Sequence, residues 1–443
     1  YQPNRAAEMN LAQGCNHCRA SHSSTHYDDI PLLDHPRPLP VCARILAEAF
    51  LRCPSGNEGT SVRQCSGVHS HAITSSLTRR FNGIASTYSR HMNPSMQSVK
   101  GAASGGYIRN CWYVIAWSHE VQQDAPFARR VLDQSVVLYR SEDGSINALE
   151  DRCCHRHAPL SFGRVEGNAL RCMYHGLLFG ADGRCLEIPG QASVPAAARV
   201  RSFPVIERRR WIWIWMGDPS KSDPALIPDT FSLDDPAWRM KPGYMHYDAS
   251  HDLITDNLLD FSHLSFVHEK SLGGTTQIAE TRAHVDLLSN GVRLTRRVHG
   301  SVPAPYHVSI GAPRGPVDRW WIYDYLIPGV LLLDSGVRPA GTTGDVEGML
   351  HFHSCQAITP SGPKSTHYFF MQAHSFKLDD ADITEHLYQS VVGAFGEDRR
   401  MIEAQQAIID SNLPAPMLGL PMDAALAQYR RLYGRILQSE ASA

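Results

Sequence analysis

The 443-residue sequence predicts an α+β protein. A small antiparallel β domain is expected over residues 107–218, and an antiparallel sheet wrapped around helices over 219–443. Three observations carry this. Short β-rich runs broken by turn residues fill the first region. Residues 210–216 (RWIWIWM) alternate Trp and Ile, the period-two signature of a strand packed on both faces. In the second region, long strand-like runs precede a long amphipathic helical stretch at 387–409.

The chain opens with a segment unlike the rest. Residues 1–106 are rich in Ser, His, Arg and Cys, with one short helical run at 44–52. They bury too little apolar surface to offset ordering entropy and are expected to be a disordered extension. Cys15 and Cys18, with His17 and His22, lack a second ligand pair at zinc-site spacing. Arg79-Arg80 lacks the apolar run that an export signal needs. The working protein is expected to begin near Met92 or Met96.

From Tyr107 the pattern turns to β. An aromatic run at 112–117 comes first, then a hairpin of 135–139 and 146–149 about Glu142-Asp143-Gly144. Residues 169–172 lead to a second hairpin, 177–179 with 185–188, about Asp182-Gly183. Residues 218–235, rich in Pro, Asp and Ser, read as a boundary and linker. Further strands are expected at 292–298, 320–326, 330–333, 349–359 and 366–370. His351, His353 and Gln356 share one of them and face either a cavity or the surface.

Bulk composition narrows the function. Hydrophobic content of 43% and charged content of 19% describe an ordinary globular chain. A net charge of −2 gives no reason to expect a nucleic-acid partner. No run approaches the roughly 20 apolar residues that span a bilayer, so a membrane is not expected either. Eleven cysteines are few for a disulfide scaffold of this length. At least two read as metal ligands, which points to a reducing, cytoplasmic compartment.

The stretch 151–180, DRCCHRHAPLSFGRVEGNALRCMYHGLLFG, carries chemistry. Cys153 and His155 form a Cys-x-His pair; Cys172 and His175 form a Cys-x-x-His pair. Each pair can put one sulfur and one imidazole at the tip of a tight loop. Two facing loops would suit a [2Fe–2S] centre in which one iron keeps its sulfurs and the other takes two histidines. The same four residues could hold zinc. Cys154 with His157 makes a rival pair. Gly176 follows the second His, where the backbone could approach a cluster closely.

The string DRCCHRHAPLSFG…LRCMYHGLLFG closely resembles the cluster motif of the Rieske non-haem iron oxygenases. The match falls on Cys153, His155, Cys172 and His175. It departs at Cys154, where the family usually has Pro.

A second constellation lies at 251–274, HDLITDNLLDFSHLSFVHEKSLGG. Asn257, Leu258, Asp260, Phe261 and His263 fall at helical spacing. His263 and His268 are five apart, which on a regular helix turns one roughly 140° from the other. Both reach one metal only if the helix ends or bulges between them. Two imidazoles and a carboxylate on one face of Fe(II) leave positions open for O₂ and substrate. Taken alone, H-x4-H reads as readily as a structural pair. The string DNLLDFSHLSFVH resembles the mononuclear-iron motif of the same family. The resemblance implies His263 and His268 as ligands, with a third from an acidic pair on a C-terminal helix. Asp398 matches it and Glu397 is the fallback; the other reading of the pair is a solvated helix face.

Residues 107–443 resemble the vanillate O-demethylase-like branch, including YHGLLFGADG and the run EIPGQ. That resemblance implies the oxygenase component of a monooxygenase. Electrons from NAD(P)H would come through a separate flavin/ferredoxin-type reductase to the Rieske [2Fe–2S] cluster. They would pass to the mononuclear Fe(II) of the next subunit in a head-to-tail homotrimer. The Asp260 carboxylate is expected to link His175 of the partner subunit to His263, with Asn257 supporting the site. The implied reaction is O₂-dependent demethylation of a small aromatic ether or amine, releasing formaldehyde. The alternatives are ring or methyl hydroxylation without dealkylation, a non-catalytic Rieske electron carrier, and a zinc-bound regulator.

Overall fold

The computed structural model describes residues 106–411 and 417–442, all within one unit, His91–Ala443. The expectations for residues 1–105, including the Cys15/Cys18 group and the start near Met92, lie outside the described residues.

Ten strands build the first part: β1 (Trp112–Trp117), β2 (Phe127–Val131), β3 (Gln134–Arg140), β4 (Ile146–Glu150), β5 (Arg164–Glu166), β6 (Ala169–Arg171), β7 (Leu178–Phe179), β8 (Cys185–Glu187), β9 (Val205–Arg208) and β10 (Trp211–Trp215). They form three antiparallel sheets, β1-β10-β9, β2-β3-β4 and β5-β6-β7-β8. The alternation in β10 does what its period predicts. Trp211, Trp213 and Trp215 enter a core with Trp112, Trp117, Phe369 and Met371. Ile212 and Ile214 enter the opposite core with Tyr113 and Ile115. Each buried indole contributes roughly 4 kcal/mol of apolar burial.

The second part holds β11 (Gly243–Tyr247), β12 (His284–Leu288), β13 (Gly291–Ser301), β14 (Val317–Leu326), β15 (Val330–Pro339), β16 (Leu350–Gly362) and β17 (Ser365–His374). These make one antiparallel sheet of seven strands in the order β11-β17-β16-β15-β14-β13-β12. Its helices are α1 (His251–Leu258), α2 (Thr276–Glu280), α3 (Pro305–Ser309), α4 (Ala381–Asp410) and α5 (Ala424–Ala441). One sheet face packs on the tryptophans of β10. The other, through Val292, Leu294, Tyr323, Tyr325, Tyr368 and Phe370, packs on α1, α4 and α5. This is the sheet wrapped around helices that the pattern predicts. Among the described residues no helix is long and apolar enough to cross a membrane.

Two expectations gain detail. The segment 218–235, read as a boundary and linker, is locally ordered. It folds into three 3₁₀ turns, Pro219–Lys221, Pro224–Leu226 and Phe231–Leu233. Asp218 and Asp223 cap the first two ahead of a Pro, a strong local start signal. Ser232 and Leu233 are buried. The helical spacing read from Asn257 to His263 is also interrupted. The α1 helix ends at Leu258, and a separate 3₁₀ turn, Phe261–Ser265, follows Asp260.

Candidate metal centres

The two cysteine loops are built alike. Cys153 N–H donates to the Ala158 carbonyl and His157 N–H returns to the Cys153 carbonyl, at 2.8 and 2.9 Å. In the second loop Cys172 N–H donates to Leu177 and Gly176 N–H returns to Cys172, at the same two distances. The fourth residue after each Cys has a left-handed backbone, φ 58° at His157 and 79° at Gly176. A Cβ on Gly176 would also stand 2.7 Å from Pro189 Cγ, so this position needs glycine twice over. Arg171 braces the second loop: its Nη1 donates to the Gly176 carbonyl at 2.7 Å, and Glu166 and Glu187 hold its other donors.

The loops bring the four expected residues together. Cys153 and Cys172 are buried side by side, whereas His155 and His175 are exposed with ring centroids 4.5 Å apart. Burial pushes the Cys153 thiol up to about 11, and the adjoining Cys172 adds to it. A bound metal reverses that preference by stabilising the thiolate. Desolvation by its neighbours lowers the pKa of His175, exposed though it is, and the charge of His155 lowers it further. The rival pair borders a different surface, although Cys154 packs beside Cys153 and Cys172. Cys154 and His157 line a cleft of about 510 Å³ with Glu150, Arg152 and Arg199. Two sulfurs inside and two imidazoles outside fit a [2Fe–2S] group of mixed ligation.

The second centre sits where α1 meets α4. The α1 helix starts at Ser250, whose hydroxyl accepts from Asp252 N–H, and buries Leu253, Ile254 and Leu258. After it stops, Asp260 caps the 3₁₀ turn by accepting from Ser262 N–H at 2.9 Å. The 3₁₀ turn itself stops at Ser265, between the two histidines, and that stop lets His263 and His268 turn to one point. The α4 helix runs for 30 residues from an Asp380 cap, with a buried stripe of Leu387, Val391, Ala394, Asp398, Ile402 and Gln406. Asp398 is therefore a carboxylate where the helical period calls for an apolar residue.

One ligand atom each of His263, His268 and Asp398 lies within 4.8 Å of the others. Asp398 Oδ2 is 3.2 Å from His268 Nε2, and Oδ1 is 3.6 Å from His263 Nε2. Asn257 Nδ2 donates to Asp398 Oδ1 at 3.1 Å. Burial lowers His263 despite the attraction of Asp398. Burial also opposes charging of His268, but Asp398 and Glu397 outweigh it and raise that imidazole. Two imidazoles and one carboxylate on one side of a point fit a non-haem Fe(II).

Asp260 departs from expectation. Its backbone carbonyl, not its carboxylate, meets His263 Nδ1, at 2.6 Å. The carboxylate serves the Ser262 cap and stands 3.7 Å from Arg296 Nη2. Glu397 was expected only as fallback ligand or on a solvated helix face. Its Oε2 accepts from His268 Nδ1 at 2.8 Å and from Ser271 Oγ at 2.6 Å, behind the imidazole. Strand alternation divides His351, His353 and Gln356 on β16. His351 and His353 turn with Asp334 toward Trp238, away from the triad. Gln356 lies on the helix-covered face, accepting from Tyr368 at 2.6 Å.

Comparison with known proteins agrees with this geometry. Residues 111–204 match the Rieske [2Fe-2S] domain, and residues 247–439 match the vanillate O-demethylase oxygenase C-terminal domain. The toluene-4-sulfonate monooxygenase system iron-sulfur subunit TsaM1 of Comamonas testosteroni is 44% identical over 75% of this chain and 98% of its own length. The chain belongs to the Rieske non-haem iron oxygenases. This oxygenase is also 34% identical to the vanillate O-demethylase oxygenase subunit of a Pseudomonas strain, over 76% of this chain and 97% of that one. A crystal structure of dicamba monooxygenase bound to 3,6-dichlorosalicylic acid superposes with a TM-score of 0.72 at 33% identity, covering 76% of this chain and all of that one. The cofactors of the oxygenase are a Rieske [2Fe–2S] cluster and mononuclear non-haem iron.

Proposed function

We propose that this chain is the oxygenase component of a cytoplasmic monooxygenase that oxidises a methyl group on a small aromatic compound, and that it does so as a demethylase. In this reading Cys153 and Cys172 hold one iron of the cluster, and His155 and His175 hold the other. His263, His268 and Asp398 hold the mononuclear iron. The domain boundary falls near residue 218, and residues 107–218 carry the cluster. The observation that carries the reading is the convergence of His263, His268 and Asp398 within 4.8 Å, downstream of a complete pair of cluster loops. A bare electron carrier has no use for that triad.

At such a site bound iron supplies O₂ activation, with electrons relayed by the cluster from NAD(P)H through a separate reductase. The chain's own residues prepare for this. Asn257 fixes one oxygen of Asp398 and so sets which lone pair faces the imidazoles. The Asp260 carbonyl accepts a hydrogen bond from Nδ1–H of His263, which keeps the proton on that nitrogen and leaves Nε2 free for metal. The exposed edges of His155 and His175 make the cluster accessible to a neighbouring subunit, consistent with a head-to-tail homotrimer. Asp260, half-buried beside His263, is the residue through which that neighbour would connect. For a methyl ether the net change consumes O₂, NADH and a proton, and gives a phenol, formaldehyde, NAD⁺ and water. Relatives named for O-demethylation of dicamba and vanillate and for N-dealkylation of chloroacetanilides support this reading.

A second reading has its own support. Toluene-4-sulfonate, named for the 44%-identical relative, has a ring methyl but no O-alkyl or N-alkyl group. Its oxidation would stop at a stable alcohol. One experiment separates the readings. The iron-loaded protein is incubated with a reductase, NADH, methoxybenzoates, N-alkyl aromatics and toluene-4-sulfonate. Formaldehyde supports demethylation; a benzylic alcohol carrying label from ¹⁸O₂ supports methyl hydroxylation. If neither forms with any substrate, the proposed function fails.

A further inference from the structure

Glu397 was expected either to replace Asp398 as a ligand or to sit on a solvated helix face. Its geometry fits neither. The carboxylate lies on the far side of His268 from the triad, and one of its oxygens takes two donors, His268 Nδ1 at 2.8 Å and Ser271 Oγ at 2.6 Å. Ser271 follows His268 in the turn that closes the segment carrying both imidazoles. Glu397 therefore joins α4 to both the ring and the turn that presents it. The two imidazoles are held differently. His263 Nδ1 meets a neutral carbonyl, whereas His268 Nδ1 meets a carboxylate. A carboxylate on the distal nitrogen fixes the tautomer, orients the ring and makes the metal-facing nitrogen a stronger donor.

We propose that Glu397, braced by Ser271, is a positioning residue that sets the metal affinity of the His263/His268/Asp398 centre by holding His268 with Nε2 toward Asp398. The inference rests on the proposed iron site. Adjacent residues of α4 then divide the work: Asp398 faces the metal, and Glu397 faces the back of a metal-bound ring. Their Cα atoms are one helical step, about 100°, apart, so the acidic pair reaches two sides of His268.

The test uses the full-length protein loaded with cluster and iron. Wild type, Glu397→Gln, Glu397→Ala and Ser271→Ala are each incubated with a ferrous chelator, and iron loss is followed. The visible absorbance of the [2Fe–2S] cluster is the internal control for folding. The Co(II)-substituted site is titrated in parallel, and its visible spectrum reports the ligand field. Glu397→Ala is expected to weaken metal binding about 10- to 100-fold. Glu397→Gln keeps an acceptor without the charge and should fall between, with a shifted Co(II) spectrum. Ser271→Ala should have the smallest effect. The cluster absorbance should not change in any of them. Metal affinity within twofold of wild type in both Glu397 variants overturns the proposal. So does loss of cluster absorbance in step with iron, which would make Glu397 a prop of the fold. If wild type retains only cluster iron, the iron-site reading fails as well; if wild type holds the third iron and the variants match it, this inference alone fails.

Discussion

Asn257 and Asp398 are 141 residues apart in sequence, yet the amide of one donates to the carboxylate of the other at 3.1 Å. This bond joins the end of α1 to the middle of α4 at the triad. It occupies Oδ1 and leaves Oδ2 toward His268. Asn257→Ala should free the carboxylate to rotate and weaken iron retention and turnover roughly 10-fold or more. Asn257→Asp should do at least as much harm, because it sets a second negative charge against Asp398 in a buried site. Iron per chain and initial rates with saturating reductase measure both.

Loss of a triad ligand should separate the two cofactors. His263→Ala or Asp398→Ala should lower iron from about three atoms per chain to about two, with the visible spectrum of the cluster intact. Cys172→Ser should instead bleach that spectrum. Elemental analysis beside absorbance reads both outcomes, and turnover should vanish in each variant. A triad variant that keeps its third iron and its rate would remove His263 or Asp398 from the ligand set.

The centres were legible in the sequence to different depths, for physical reasons. Each cluster pair lies within a few residues, so spacing alone puts Cys and His on one loop. The alternation of β10 was legible because both of its faces are buried. Strands β2 and β5 were missed because their half-exposed, charged residues, FARRV and RVE, give no clean alternation. Asp398 was reached only through the family resemblance, and its place on the buried stripe of α4 became visible in the fold. The partner of His263 was not legible, because it is a backbone carbonyl, which every residue carries. Glu397 meets His268 across 129 residues, and no local pattern reports that packing.

Stability should depend on pH through His367. Its Nε2 donates to the Arg130 carbonyl at 2.9 Å and its Nδ1 accepts from Tyr244 at 2.8 Å, so the ring is held neutral. Burial, then the nearby Arg129, lowers its pKa to about 4. An unfolded histidine titrates near 6.5. Above that pH both states are neutral and the group has no effect. As pH falls from about 6.5 to about 4 the unfolded chain takes up a proton that the folded chain refuses, and stability drops by up to about 3 kcal/mol. Urea midpoints at pH 7.5 and 4.5 should therefore differ less in His367→Gln than in wild type. Equal differences would show that His367 is not the group involved.

The matched cluster loops make opposite demands at equivalent positions. Gly176 and His157 occupy the same step, each with positive φ, each returning an N–H to its cysteine carbonyl. Gly176→Ala adds a Cβ in a left-handed residue and against Pro189. It should cost about 1–3 kcal/mol and speed bleaching of the cluster in air. His157→Gly removes a Cβ from the same backbone geometry in the first loop. The strain relieved, about 1–2 kcal/mol, exceeds the added freedom of a glycine in the unfolded chain, about 0.5–1 kcal/mol. His157 is exposed, so little packing is lost. The variant should match wild type or exceed it by up to about 1 kcal/mol, with an unchanged cluster spectrum. Thermal midpoints of the two variants test the equivalence. If His157→Gly destabilises as much as Gly176→Ala, the imidazole of His157 has a role in the first loop that its backbone geometry does not reveal.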